Sequence, residues 1–193
     1  MYILFEGVDT CGKTTQIELL KEKYPEMLIT KEPGATKLGI KIREILLHNP
    51  PLSLEAEILL FLADRAEHYR EIIAPNTHRL IISDRGFISG IAYALANKSY
   101  DFETLVNLNR FALNNQLPDC VILFILDEAT LHERLSQKSL DTIEQRGVKY
   151  LLEVQETMKN TILRLEIPHL FIDATNDIET IHTQITDFLR RPL

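Results

Sequence analysis

Short apolar runs alternate along this chain with longer stretches in which apolar side chains recur at helical spacing. The runs at residues 2–6, 27–31, 79–83, 120–126 and 168–172 predict β-strands. Between them the pattern predicts helices over residues 14–23, 38–47, 54–73, 88–97, 103–116, 129–136, 144–165 and 177–190. The central strands are apolar almost throughout, as strands must be when both faces of a parallel sheet are covered. This order predicts an α/β fold, doubly wound, with a mostly five-stranded parallel sheet between helices. Ligands in such folds sit beyond the carboxyl ends of the strands. The residues to inspect are therefore those from Gly7, Lys31, Asp84, Asp127 and Asp173 onward.

A length of 193 residues fits one domain, and 45% apolar with 25% charged residues matches an ordinary globular chain. No apolar run is long enough to span a bilayer, and the start "MYILFEG" lacks the basic flank and long apolar stretch of a secretory signal. A cytoplasmic location is the expectation. Cys11 and Cys120 lie far apart with no ligand-spaced neighbour, so neither a disulfide framework nor a zinc site is expected. A net charge of −7 gives no sign of nucleic acid or anionic membrane as partner. A bound anion needs a local cluster of cations and backbone N–H groups.

Residues 7–14, "GVDTCGKT", supply such a cluster, matching G-x-x-x-x-G-K-[ST] in full. Glycines let successive N–H groups wrap a phosphate, and the helix that follows adds the positive end of its dipole. Gly7, Val8, Asp9, Thr10, Cys11, Gly12, Lys13, Thr14 and Thr15 thus form the expected nucleoside triphosphate site. Lys13 would reach the β- and γ-phosphates, and the Thr14 hydroxyl would ligate Mg²⁺. A thiol at Cys11 could act as a redox switch, but a small residue tolerated for its backbone is the plainer reading.

A phosphate loop does not name the phosphoryl acceptor. The guanine-reading N-K-x-D fails, because Asn97-Lys98-Ser99 is followed by Tyr100, and there is no D-x-x-G switch outside the loop itself. Three more stretches narrow the choice: "TKEPGAT" (30–36), "LLFLADRAEH" (59–68) and "SDRGFISGIAY" (83–93). With the phosphate loop they resemble, along nearly the whole chain, the thymidylate kinase (dTMP kinase) family of P-loop nucleoside monophosphate kinases.

The resemblance implies transfer of the ATP γ-phosphoryl group to dTMP, with Mg²⁺ as cofactor, and a homodimer. It implies that Phe61 stacks on thymine and that Arg65, four residues on along one helix face, donates to O4. A core role for Phe61 is the alternative, since "ILLFLA" is apolar nearly all round. Arg43 resembles the arginine that grips the monophosphate, and Arg85 the one reaching between acceptor and donor phosphates. Asp84 would contact Mg²⁺ through water, or simply cap a helix. Asp9 is similar to the acid near the 3′-OH or metal, and Tyr93 to the ring beside C2′. Glu32, Pro33, Ser89 and Gly90 complete the implied dTMP site. The six histidines read as mostly surface residues, because the phosphate dianion needs no strong base.

Five departures stand out. Lys31 replaces the usual arginine, and Ala35 the second glycine of P-G-G. Gly90 and Ala94 lack the polar side chains that many relatives place against the thymine edge. The lid, about residues 136–147, reads Asp141-Thr142-Ile143-Glu144 and lacks the arginine of D-R-I-E. Arg134, Lys138 and Arg146 are the cations available to replace it, with Arg134 expected at ATP and Lys138 at the reaction centre. Two alternatives to dTMP phosphorylation remain open at this level: another P-loop nucleoside or nucleotide kinase, and a nucleotide-binding regulatory module without phosphotransfer.

Overall fold

The computed structural model describes residues 1–48, 52–96, 100–137 and 144–190. Five strands, β1 (Tyr2–Glu6), β2 (Leu28–Lys31), β3 (Ile81–Asp84), β4 (Cys120–Ile125) and β5 (His169–Asp173), form one sheet in the order β2-β3-β1-β4-β5. Every pairing is parallel. The helices are α1 (Lys13–Lys23), α2 (Lys37–His48), α3 (Leu54–His68), α4 (Phe87–Ala96), α5 (Phe102–Ala112), α6 (Glu128–Ser136), α7 (Val148–Arg164) and α8 (Ile178–Leu189).

Strand alternation divides the apolar side chains between two core layers. Ile3, Phe5, Cys120, Ile122 and Phe124 pack with α1 and α8 on one face of the sheet. Tyr2, Leu4, Val121 and Leu123 pack with α4 and α7 on the other. All five residues of β1 are buried, which explains why the central run carries no polar alternation.

Element boundaries differ from the sequence expectations for local reasons. β3 begins at Ile81, where its N–H meets the Met1 carbonyl, and runs through Asp84, which pairs with Phe5 on one side and Lys31 on the other. Aspartate is a poor strand former, so only pairing on both sides carries the strand that far. The helix expected over 54–73 ends its α-helical part at His68 and continues as a π turn (Tyr69–Ile73) and a 3₁₀ turn (Ala74–Asn76). The helix expected over 103–116 stops at Ala112, because Asn114 and Asn115 adopt left-handed backbone (φ 49° and 59°). That expected over 144–165 begins at Val148, after Gly147 (φ 95°) interrupts a short 3₁₀ turn at Glu144–Arg146.

Among the described residues, no helix is long and apolar enough to cross a membrane. α3 packs against both α2 and α5. Its Leu59 is 61% exposed, as is Ile40 on α2, and Phe111 on α5 is 84% exposed.

Candidate functional site: two cavities with a shared wall

β1 lies at the centre of the sheet, and its carboxyl end opens directly into the phosphate loop. Gly12 ends the loop with left-handed backbone (φ 94°), which turns the chain into α1 without a Cβ penalty. Asp9, Thr10, Cys11, Gly12, Lys13, Thr14 and Thr15 line one cavity, together with Lys31 and Asp84. Gly7 and Val8 are buried behind it and fix the lysine: Lys13 Nζ donates to both their carbonyl oxygens at 3.2 Å. The amine also lies 3.6 Å from Cys11 Sγ. Cys11 itself is buried, at 1% exposure.

Asp84 faces Lys13 Nζ at 4.0 Å, and its Oδ1 is buried without a hydrogen-bond partner. It belongs to the end of β3 rather than capping α4, which starts at Phe87. An unpaired carboxylate oxygen in a cavity that Thr14 also lines suits Mg²⁺, which keeps several waters and is completed by substrate phosphates. No cluster of three or more His, Cys, Asp or Glu able to hold a metal occurs among the described residues.

A second cavity adjoins the first. Asp9, Glu32, Arg43 and Arg85 line both. Pro33, Phe61, Arg65, Ser89, Gly90 and Tyr93 line the second, so the residues expected to hold the acceptor surround one space. Phe61 is half-buried there and belongs to neither core layer, which sets aside the reading of it as a core aromatic.

Arg85 stands at the junction. Its Nη2 donates to Asp9 Oδ1 at 2.7 Å, and its Nη1 to the Gly7 carbonyl at 2.8 Å and to Ser89 Oγ at 3.3 Å. Its backbone is left-handed (φ 69°), as is that of Thr10 (φ 65°), a conformation costing an ordinary residue about 1–2 kcal/mol. Arg85 belongs to the shared wall, and Thr10 lines the first cavity. Arg43 donates to the Pro33 carbonyl at 3.0 Å, past the cis Glu32–Pro33 bond.

Beneath this wall lies a buried polar network that the linear pattern does not reveal. Arg65 Nε and Nη2 both reach Glu32 Oε2 at 2.8 Å. His68 Nδ1 meets Glu32 Oε1 at 2.8 Å, and its Nε2 meets Thr30 Oγ1 at 2.7 Å. The carboxylate can only accept, so His68 donates to it from Nδ1, and Nε2 is left to pair with the Thr30 hydroxyl. His68 is 1% exposed, an exception to the expectation that the histidines lie mostly at the surface. Burial alone would push the Glu32 carboxyl up, but Arg65 and His68 outweigh it and leave it below its ordinary value. Glu6 shows the opposite balance. Burial raises its carboxyl, offset only in part by the Ser89 hydroxyl and N–H and by the charges of Arg85 and Lys13.

The lid cations separate. Arg134 donates to the carbonyls of Thr10 at 3.0 Å and Ala174 at 2.9 Å, tying the phosphate loop to the end of β5. Arg146 donates to the Tyr150 hydroxyl at 2.9 Å, and the Tyr150 ring is 6.5 Å from that of Tyr93. Lys138 and the Asp141-Thr142-Ile143 part of the lid lie outside the described residues. Glu6, His68 and Asn109, which hold side chains of the site, carried no predicted site role. Glu6 and His68 each sit inside a family-like motif, and a buried partner is what sets them apart.

A phosphate loop at the centre of a parallel sheet, opening across a shared arginine wall into a second cavity, defines a phosphotransferase of the P-loop kinase fold. Residues 5–185 match the thymidylate kinase family. The chain belongs to that family. It is 60% identical over 190 residues to the thymidylate kinase of Sulfurovum sp. (strain NBC37-1), covering 98% of this chain and 100% of that relative. Identity to the thymidylate kinase of Campylobacter curvus (strain 525.92) is 53% over 193 residues, covering 98% of this chain and 100% of that relative. The crystal structure of thymidylate kinase from Ehrlichia chaffeensis superposes with a TM-score of 0.77 at 26% identity, covering 99% of this chain and 98% of that one.

Proposed function

We propose that this protein transfers the γ-phosphoryl group of ATP to dTMP, giving ADP and dTDP. The observation that carries this reading is the wall of Asp9, Glu32, Arg43 and Arg85 common to the two cavities. It allows a donor phosphate held by the loop and an acceptor phosphate held by arginines to meet in one space. A nucleoside monophosphate is largely dianionic at neutral pH, its second pKa being about 6, so its oxygen attacks without a protein base.

The chain's contribution is alignment and charge. Lys13, anchored by two loop carbonyls, presents its ammonium to the transferring group. Arg85, held by Asp9 and the Gly7 carbonyl, faces acceptor and donor phosphates together, and Arg43 holds the acceptor phosphate. Phe61 supplies a stacking face for the base, and Tyr93 a ring beside the sugar. Arg134 keeps the loop against the β5 end on the ATP side. Thr14, and Asp84 through water, would hold Mg²⁺, which would supply positive charge against the donor phosphates.

Coupled ADP release with MgATP and dTMP, dUMP, dCMP, dGMP or UMP tests the proposal. Strong preference for dTMP is the expected result. Activity spread across the panel would point to a different nucleotide kinase, and no acceptor-dependent ADP to a regulatory nucleotide binder.

We place the reaction in the cytoplasm, which supplies ATP, and propose that two copies associate. The exposed apolar side chains Ile40, Leu59 and Phe111, on helices that pack together, support association. Light scattering at micromolar concentration should return twice the mass of one chain, and Leu59→Glu should return the mass of one.

A further inference from the structure

Asn109 lies on α5, buried at 5% exposure, and lines the same cavity as Phe61 and Arg65. Both ends of its carboxamide are engaged. Oδ1 accepts from Arg65 Nη1 at 2.6 Å, and Nδ2 donates to the Leu105 carbonyl, one helical turn earlier, at 2.8 Å. These contacts decide which end is oxygen. A reversed amide would set N–H against guanidinium N–H, and oxygen against carbonyl oxygen.

The remaining capacity can be counted. A carboxamide oxygen accepts two hydrogen bonds and its nitrogen donates two, so one lone pair and one N–H are left. Arg65 has five N–H groups. Two go to Glu32 and one to Asn109, leaving two on the terminal nitrogens. The pair therefore offers adjacent donor and acceptor positions on a buried wall.

At two positions facing this cavity, Gly90 and Ala94, the neighbouring α4 carries no polar side chain. A Cβ at Gly90 would stand 3.3 Å from Arg65 Nη2 and 3.4 Å from Nη1, so the guanidinium rests against bare backbone. Ala94, one turn on, adds a methyl group. Among the described residues lining this cavity, Asn109 is the one carboxamide.

We propose that Asn109 is a base-reading residue: its Oδ1 accepts the N3–H of thymine while Arg65 donates to O4. This rests on the reading of dTMP as acceptor. A 4-oxo pyrimidine presents an acceptor and then a donor along this edge, matching Arg65 and then Asn109. Cytosine inverts both groups, setting its 4-amino group against the guanidinium and its N3 lone pair against Oδ1. Two buried mismatches in a site built to hydrogen-bond its substrate cost far more than one missing methyl group. Uracil shares the thymine edge, so Asn109 rejects cytosine and leaves selection of the 5-methyl group to other contacts.

The test compares dTMP with its N3-methyl analogue, which keeps O4 and the phosphate but replaces the N3 proton. With the wild-type protein and MgATP, kcat/KM is expected to fall about 100-fold or more on methylation, the scale set by unpaired buried groups. For Asn109→Ala, dTMP turnover should weaken about 10-fold or more, mainly in KM and with ATP KM little changed. Its preference for dTMP over the methyl analogue should shrink to a few-fold. An Asn109 that merely steadies Arg65 would raise KM for both acceptors and leave their ratio as in the wild type, which would overturn the proposal. The wild-type comparison stands without the variant: equal use of dTMP and the analogue overturns base reading by Asn109 alone. Failure to use dTMP at all would overturn the acceptor assignment and this proposal with it.

Discussion

Replacing Lys13 with alanine is expected to lower kcat by about 10²–10³-fold or more, the cost of losing a charge aimed at a developing transition-state charge. The effect should fall on turnover, while the fold survives. Lys13 Nζ is held by the Gly7 and Val8 carbonyls at 3.2 Å, and its removal leaves two loop carbonyls without this donor. Leaving such acceptors unsatisfied costs about 1–3 kcal/mol, a drop of roughly 2–12 °C in Tm for a chain of this size. Single-turnover ADP formation and a thermal melt measure the two effects separately. Near-normal kcat in a folded Lys13→Ala protein would remove the phosphate loop from the chemistry. Lys13→Arg should also be poor, because a planar fork cannot replace a compact ammonium seated between two carbonyl oxygens.

Arg65→Ala should have two large effects with different origins. As a donor to the base, Arg65 makes a charge-assisted hydrogen bond, and its loss should raise KM for dTMP about 10–100-fold. As the partner of Glu32, with both side chains 3% exposed, it also neutralises a buried carboxylate. Breaking such a pair from one side costs about 3–5 kcal/mol, because the other charge is left in the interior. His68 retains its hydrogen bond to Oε1 and softens that loss. Glu32→Gln placed in the Arg65→Ala background should recover much of the stability, since no unpaired charge remains, without restoring dTMP binding. Equal losses for ATP and dTMP, or recovery of dTMP binding in the double variant, would make Arg65 part of the scaffold alone.

The phosphate loop was legible because its chemistry is local: a strand, a turn rich in glycine and a helix start are contiguous in sequence. The acceptor side was legible through resemblance. Glu32, Arg43, Phe61, Arg65, Arg85 and Tyr93 come from four separate segments, and the fold does bring them around one cavity. The resemblance did not show how those side chains are held. Arg65 reads in the sequence as a substrate contact, yet most of its engaged donors face Glu32 and Asn109. Ser89 reads as an acceptor-site residue, yet its hydroxyl is shared between Glu6 and Arg85. His68 reads as a surface histidine at the polar end of a helix, and the protein buries it between Thr30 and Glu32.

By itself the sequence determined the alternation of strands and helices, the parallel sheet they form, and the triphosphate loop. Those depend on periodicity and on residues a few positions apart, where side-chain direction follows from secondary structure. Only the tertiary structure decided the buried network and the partner of each polar group. Glu32 meets Arg65 from 33 positions away and His68 from 36, and Arg65 meets Asn109 from 44. Nothing in local propensity selects such pairs. They form because the strand order places β2 beside β3 and α3 packs against α5, so that burial makes these charges and amides pair within the protein.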